Sequence, residues 1–572
     1  MHLRKWRKRV KGETQEYWAV VECYRTGRGP RQRIVAYLGE MEEAARSGVM
    51  QAARRETTYQ PRLLDEVAPE WVEVDAKRLR VERVQDFGGP WLGLEVMEQL
   101  GLGAFLHSVL ASGREEIAWA QMAQVLILGR LCEPSSELSL AERIYGRTAL
   151  MDLLGVPMEK VNDDRLYRAL DALLPHQAAL ERHLKERLGE LFELEYDLLL
   201  YDVTSSYFEG LAEGNPQAQR GYSRDHRPDC KQVCIALVVA KGGMPLAHRV
   251  FDGNRADVTT VEEMVEEIEA QYGVANRIWV MDRGMVSEEN VTFLRQGRRR
   301  YILGTPKSML RRFQQQLVAA GWETIREGLE VKLCPSPEGE ETFILCRSAA
   351  RREKEQAMHA RFAQRIEVGL AKLAESCWKR PQRGTVMERR IGRLLERNSR
   401  AAGLFKVEVK EQAGRAEVVW SKVEAWREWS QLSEGCYLLR SNIVDWSASE
   451  LWEAYMQLTQ AEAAFRIHKR DLCLRPIWHQ KAERVQAHIL VCFLAYVIWK
   501  ALAQLCRRAG LGDEPRQVFE EIAQIRTVDV VLPTKSGPEL RRRCVAEPTK
   551  HQAILLQRLG LTLPKQLNVH PM

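Results

Sequence analysis

"LLLYDVTSSYFEG", residues 198–210, sets a single carboxylate, Asp202, near the end of an otherwise apolar run. Leu198, Leu199, Leu200, Tyr201 and Val203 have the composition of a buried strand, in which neither face alternates to polar. An acid in that setting has two readings. Buried strands commonly finish in a polar residue that meets solvent. Alternatively, Asp202 is a metal ligand carried on a rigid strand, and its partners lie elsewhere in the sequence.

Working outward, residues 196–203 predict a strand. KQVCIALVVAKGGMPLAHRVFDG (231–253) predicts two more around the turn Gly242-Gly243. Asp257 is positioned to cap a helix with the buried stripe Val261, Met264, Val265 and Ile268, closed by Gly273. RIWVMD (277–282) and RRYILGT (299–305) are further short buried strands. Strand, strand, strand, helix, strand, helix, strand is the order of the ribonuclease-H-like fold, an α/β core with a mixed sheet flanked by helices. The pattern comes from the residues and the fold name by analogy, because order alone does not fix topology.

From 306 to 434 that rhythm lapses into strand-like pieces (ETFILCR, LFKVEVK, AEVVW), a charged helix near 352–376 and a basic stretch. This reads as a mostly β insertion that interrupts the core. GCYLLRSN (435–442) then returns to strand, and long helices follow. The expected organisation is a basic β-hairpin region over 1–90, with two strands in YWAVVECYRTGRGPRQRIVAYLG (17–39), and a helical domain over 91–190. The first part of the core spans 191–305, the insertion 306–434 and the second part of the core 435–510. A C-terminal region over 511–572 is available for dimer or DNA contacts.

The 572 residues are 45% hydrophobic and 28% charged, as in a soluble globular protein. The formal charge of +7 is unevenly spread. The first twelve residues carry six Lys or Arg and no acid, and the stretch from Trp378 to Arg400 carries eight cations against two acids. Arg298–Arg300 and Arg541–Arg543 are further basic clusters. A phosphate-backbone partner needs such clusters, although a solvated helix face is the commoner explanation for any one of them. The twelve cysteines are scattered without a CxxC pair, which predicts a reduced, cytoplasmic chain rather than a zinc or disulfide scaffold. ILVCFLAYVIW (489–499) is too short to span a bilayer and reads as a buried helix, so no membrane partner is expected.

The partners of Asp202 emerge from two places. In RIWVMDRGMVSEEN, Asp282 ends the next buried strand, ahead of a helix start at Ser287. Two carboxylates that converge without an Arg or Lys between them repel, and shared divalent cations relieve that repulsion. A third acid lies on a helix opened by the capping box Ser447 and Glu450. In AYMQLTQAEAAFRIHKR, Tyr455, Glu462 and Lys469 recur every seven residues, nearly one face of a helix, over about 21 Å. Such a strip suits a metal and a nucleic-acid backbone; a polar solvent face is the competing reading.

Asp202, Asp282 and Glu462 resemble the acid triad of DDE transposases. The helix is similar to the Tyr-x2-Arg-x3-Glu-x6-Lys signature of the bacterial insertion-sequence-four superfamily, with Leu458 at the Arg position. Arg466, one turn after Glu462, is a candidate to supply that cation. EAAFRIHKRDLCLRPIWH, AHILVCFLAYVIW, GYSRDHRPDCKQV, FDGNRADVTT and the tail VVLPTKSGPELRRRC look closest to the subgroup numbered sixteen thirty-four. The resemblance implies cleavage and strand transfer of double-stranded DNA, at insertion-sequence ends and into target DNA. It implies a two-metal mechanism using Mg2+, with Mn2+ as substitute, and a homodimer on paired ends. Asp202, Asp282 and Glu462 would hold the ions, while Tyr455, Lys469 and Arg466 would contact DNA. The rivals are a stand-alone metal-dependent nuclease and an inactive DNA-binding relic.

Other residues carry weaker signals. Asp225 and Asp229 read as solvated loop acids, and Asp252, Asn254 and Asp257 as a turn and helix cap. His479 and His488 read as satisfied structural histidines ahead of phosphate contacts. Trp420, Trp426 and Trp429 are candidates to stack an unpaired base, with buried packing the leading alternative.

Overall fold

The structure is a computed structural model and describes residues 2–10, 13–26, 29–39, 72–110, 113, 115–336, 340–412, 415–535 and 537–567. The chain forms two compact units, Met1–Arg277 with Gln457–Met572, and Ile278–Met456.

The first unit opens with an antiparallel sheet of β1 (His2–Val10), β2 (Glu13–Thr26) and β3 (Gly29–Gly39). The expected hairpin is β2–β3; its turn residues Gly27 and Arg28 lie outside the described residues. Strand β1 is an addition. Only Leu3, Trp6 and Val10 are apolar in it, so it shows no alternation, and its extended state comes from pairing along β2.

After β4 (Arg80–Asp86) come the helices α1 (Gly88–Gln99), α2 (Leu102–Val109), α3 (Trp119–Cys132), α4 (Asp163–Leu173) and α5 (Gln177–Phe192). The Asn162 side chain caps α4 by accepting from the Arg165 N–H at 2.8 Å, and Leu166, Ala169, Leu170 and Leu173 form its buried stripe.

β5 (Leu198–Tyr207), β6 (Gln232–Ala240) and β7 (Met244–Asp252) form an antiparallel run, with Asp202 opposite Leu237 and Leu237 opposite His248. Every residue of β6 is buried, which is why its sequence is continuously apolar. The β6–β7 turn places Gly242 at φ 75° and Gly243 at φ 78°, left-handed positions that glycine takes without strain. The predicted stripe Val261, Met264, Val265 and Ile268 is the buried face of α6 (Val261–Tyr272). Asp257 does not cap α6. It opens a preceding 3-10 turn and pairs with Arg224.

The second unit contains β8 (Ile278–Met281), α7 (Glu288–Gln296), β9 (Arg300–Gly304), β10 (Glu323–Arg326), β11 (Leu329–Pro335) and β12 (Thr342–Ser348). It continues through α8 (Ala349–Lys379), α9 (Gly384–Arg397), β13 (Phe405–Gln412), β14 (Arg415–Lys422), α10 (Glu424–Ser433), β15 (Cys436–Ser441) and α11 (Ala448–Met456). Its sheet order is β10-β11-β12-β15-β9-β8, parallel between β8 and β9 and antiparallel elsewhere, hence mixed.

The expectation of a mostly β segment over 306–434 needs correction. β10, β11 and β12 extend the sheet beside β15. The remainder is chiefly helical: α8 and α9 pack on the hairpin β13–β14 with their own core of Ile366, Leu370, Met387, Ile391, Phe405 and Val418, and Trp429 and Leu432 of α10 join Leu310 and Leu438. α8 is the charged helix expected near 352–376; α9 is hidden because its arginines make the segment read as a basic stretch, and short apolar runs elsewhere draw the reading toward strands.

The chain returns to the first unit with α12 (Thr459–Arg470), α13 (Ala482–Arg508), α14 (Pro515–Ile522), β16 (Arg526–Leu532), β17 (Leu540–Val545) and α15 (Lys550–Leu559). β16 lies between β17 and β4, which ties this last segment to the start of the helical region. The single helix expected to carry Tyr455, Glu462 and Lys469 is broken: α11 ends at Met456 and α12 starts at Thr459. Helix α13 is long and apolar enough to cross a membrane, but 83% of its apolar window is buried inside the protein, against α3, α4 and β7 among others. It is the central core helix of this unit.

Candidate active site

Asp202 sits in the middle of β5, not at its end, because the strand continues through Thr204 and Ser206 to Tyr207. The side chain is half-buried, and its Oδ1 accepts the Val203 N–H at 2.8 Å. Thr204 and Ser206 project from the same face, since side chains alternate along a strand.

Helix α12 packs on β5 and β6 through Ala461, Ala464, Phe465 and His468, which leaves Glu462 and Arg466 exposed. Two contacts fix its direction. Near its end, Lys469 Nζ donates to Thr204 Oγ1 at 2.8 Å. Near its start, Gln460 lies against Gly243, where a Cβ would stand 3.1 Å from Gln460 Oε1. Gly243 closes the turn beside the Leu199–Ala240 pair, so α12 runs alongside β5 in the same sense. From Lys469 back to Glu462 is about 10 Å of helix, and from Thr204 back to Asp202 is about 7 Å of strand. Glu462 is therefore brought nearly level with Asp202.

Lys469 is engaged as well as placed. Asp225, expected as a solvated loop acid, has a side chain only 3% exposed, and its Oδ1 accepts from Lys469 at 2.9 Å and also from Arg475. Burial depresses the Lys469 pKa, and the bond to Asp225 opposes that shift. Asp229, by contrast, is exposed and paired with Arg227, as the loop reading expects. Leu458, at the signature's Arg position, is 6% exposed; a guanidinium there would have to be buried.

In the second unit, Asp282 immediately follows β8 and is exposed, and Ser287 caps α7 by accepting from the Asn290 N–H at 3.1 Å. The Tyr455 hydroxyl, on α11, donates to Asp282 Oδ1 at 3.3 Å. Burial and the adjacent Asp282 charge push the Tyr455 phenol far above its ordinary pKa, so it stays protonated and remains a donor. Gly304 on β9 makes room for this contact: a Cβ there would collide with the Tyr455 hydroxyl and stand 3.0 Å from the Arg283 nitrogen. Gly304→Ala should therefore displace Tyr455 and match the cleavage defect of Tyr455→Phe, roughly tenfold for one lost orienting hydrogen bond at about 1 kcal/mol or slightly more. Parallel rate measurements check this, and a Gly304→Ala enzyme with the full wild-type rate would refute it.

A transposase DDE-domain model matches residues 193–498, more than half of the chain, and an IS1634 family transposase N-terminal-domain model matches residues 3–66. The chain belongs to the DDE transposase family. It is a DNA transposase, a DNA-cleaving and phosphoryl-transferring enzyme with a ribonuclease-H-like core, and its family's chemistry runs on divalent metal. Among solved structures, a piggyBac transposase synaptic complex with hairpin DNA is similar at 10% identity and a TM-score of 0.34, covering 79% of this chain and 82% of that one. No curated protein matches.

Elsewhere in the transposase, the ligand atoms of Glu137, His479 and His488 lie within 4.8 Å of one another. An arginine already occupies the place of a cation: Arg130 is 4.0 Å from Glu137 and 3.4 Å from His488 Nδ1. Burial, then the charge of Arg130, push His488 down to about 3, so its ring is neutral. With Nε2 donating to the Leu474 carbonyl at 3.3 Å, Nδ1 accepts from Arg130. Burial raises the Glu137 pKa, but the bond to His479 and the surrounding positive charges outweigh it and bring it to about 2. The structural reading of both histidines fits this network.

Trp420 packs on the α8–α9 core, Trp426 lies under Gly403, and Trp429 packs with Leu310 and Leu438. Arg475 is the site-adjacent residue that the sequence did not single out, and Asp225 is the one it read as a solvated loop acid. Nothing in a loop acid's spacing shows that it will be enclosed; the only hint is its place between Arg224 and Arg227 in GYSRDHRPDCK.

Proposed function

We propose that Asp202, Asp282 and Glu462 are the metal-holding carboxylates of this transposase. Two Mg2+ ions, with Mn2+ as substitute, would serve cutting at the ends of an insertion sequence and joining of the freed 3′ ends to target DNA. The observation that most supports this reading is the Lys469–Thr204 contact, which sets Glu462 nearly level with Asp202. The donor set is entirely carboxylate oxygen, which suits a hard cation that retains waters and shares substrate phosphate oxygens. Bound there, the ions supply activation of the attacking hydroxyl and stabilisation of the departing oxygen in an in-line displacement.

The chain's own residues do the positioning. Tyr455 orients Asp282 through its hydroxyl, and that single proton would go to a phosphate oxygen only when it leaves Asp282. Lys469 anchors α12 on β5, and Arg466, exposed one turn beyond Glu462, is placed to meet a phosphate oxygen. A homodimer on paired ends, acting in the bacterial cytoplasm, completes the proposal.

The test is an incubation of purified protein with labelled left and right ends of its own element in Mg2+, Mn2+ or EDTA. Metal-dependent breaks at the element boundary with joined products are the expected result. Breaks without joining on paired ends would favour a plain nuclease, and binding without breaks in either metal a DNA-binding relic.

A further inference from the structure

The second unit carries a charged surface that the carboxylates and their neighbours do not use. Residues 378–400 have a net charge of +6, nearly the whole +7 of the chain. Four of its eight cations lie on α9, whose inner face, Met387 and Ile391, is buried against α8 and the β13–β14 hairpin. Arg389, Arg390, Arg393 and Arg397 are all exposed. At about 100° per residue these four occupy a single arc of about 100° on the helix, and Glu388 and Glu396 fall outside it.

A solvated face is normally laced with ion pairs, as are Arg347 with Glu330 at 2.8 Å and Lys422 with Glu367 at 2.6 Å in this same unit. Arg389, Arg393 and Arg397 have no such partner among the described residues, and Arg390 reaches only the Gln382 amide oxygen at 3.2 Å. Trp378 adds an independent sign. It ends α8 next to Lys379 and Arg380 and is 86% exposed, the most exposed large hydrophobic side chain among the described residues. Indole rings are usually covered in a protein's own core; one left open amid guanidinium groups is the combination nucleic-acid surfaces use.

We infer that the outer face of α9, flanked by Trp378, is a docking surface for the phosphate backbone of duplex DNA. Its contacts are independent of base sequence. From Arg389 to Arg397 the stripe runs about 12 Å, close to the width of a major groove, so its guanidinium groups can reach phosphates on both borders. This surface rests on the DNA-processing reading and extends it, because backbone contacts of this kind would hold flanking or target DNA whatever its sequence.

The test uses the full chain, a random-sequence duplex and an end-bearing duplex, with affinity measured from 50 to 200 mM salt. Arg389→Gln/Arg393→Gln/Arg397→Gln should weaken binding to both duplexes alike. The slope of log affinity against log salt should become shallower by roughly 2 to 3, about 0.9 for each phosphate no longer neutralised. Trp378→Ala should weaken binding and leave the slope unchanged. The control variant Lys354→Gln/Arg361→Gln/Lys372→Gln removes the same charge from exposed positions of α8 and should change the slope little. An α9 variant with the wild-type slope, or a control variant with an equal loss, overturns the assignment. Absence of DNA binding by the wild type would instead overturn the reading beneath it. All seven positions are exposed, so a thermal melt matching wild type shows that the variants fold.

Discussion

Asp202→Asn, Asp282→Asn and Glu462→Gln will each lower strand cleavage by about a thousandfold or more while leaving DNA binding within about twofold. The magnitude follows from the chemistry. A metal that polarises a phosphoryl oxygen supplies several kcal/mol of transition-state stabilisation, and a thousandfold loss corresponds to about 4 kcal/mol. An amide keeps the shape of the carboxylate but not its charge, so it holds the hard cation poorly. Folding should be spared: Asp282 and Glu462 are exposed, and an amide oxygen at position 202 still accepts the Val203 N–H. Tyr455→Phe should show a much smaller loss, because Asp282 stays charged and loses only its orienting donor. Cleavage rates in Mg2+ beside binding in EDTA separate the two effects. A variant that kept a tenth of the wild-type rate would remove its residue from the proposed ligand set.

How much of this was readable in advance depends on whether a signal is local. Strand β6, buried throughout, and the stripe of α6 were plain in the sequence, because continuous burial and a four-residue repeat each leave a direct mark. Asp202 and Asp282 stood out because each interrupts or borders an apolar run, and Glu462 through its seven-residue spacing from Tyr455 and Lys469. The break between α11 and α12 left no mark. Gln457 and Leu458 are ordinary helix formers, with neither proline nor glycine between Tyr455 and Glu462, so periodicity ran straight through. The Tyr455–Asp282 bond depends on Gly304, 151 positions away from Tyr455, and the enclosure of Asp225 depends on Lys469 and Arg475. Both are products of tertiary placement, which composition and spacing do not encode.

The enclosure of Asp225 gives the second large effect. Asp225→Ala would leave Lys469, whose side chain is 10% exposed, without its counter-charge and would release Arg475 from the same oxygen. Removing one partner of a buried pair costs about 3–5 kcal/mol, because the remaining charge stays desolvated. Part of that penalty is relieved if Lys469 loses its proton. Burial already lowers its pKa and Asp225 is the main force holding it up, so the folded value falls further in the variant. The unfolded chain then binds more protons than the folded one between the depressed value and the ordinary lysine value near about 10.4. The variant's deficit should accordingly be largest at low pH and shrink as pH rises through that window.

Asp225→Asn should be milder, since an amide oxygen can still accept from both cations. Asp225→Ala/Lys469→Met should regain most of the lost stability, having no uncompensated ammonium, yet remain poor in cleavage. Without the Lys469–Thr204 contact the placement of α12 loosens, and a shift of about 1 Å at Glu462 is enough for a loss near a hundredfold. Urea denaturation of wild type, Asp225→Ala, Lys469→Met and the double variant gives the coupling energy directly. A single variant as stable as wild type would show that Asp225 and Lys469 behave as a solvent-exposed pair, and a double variant with normal cleavage would show that this contact does not place Glu462.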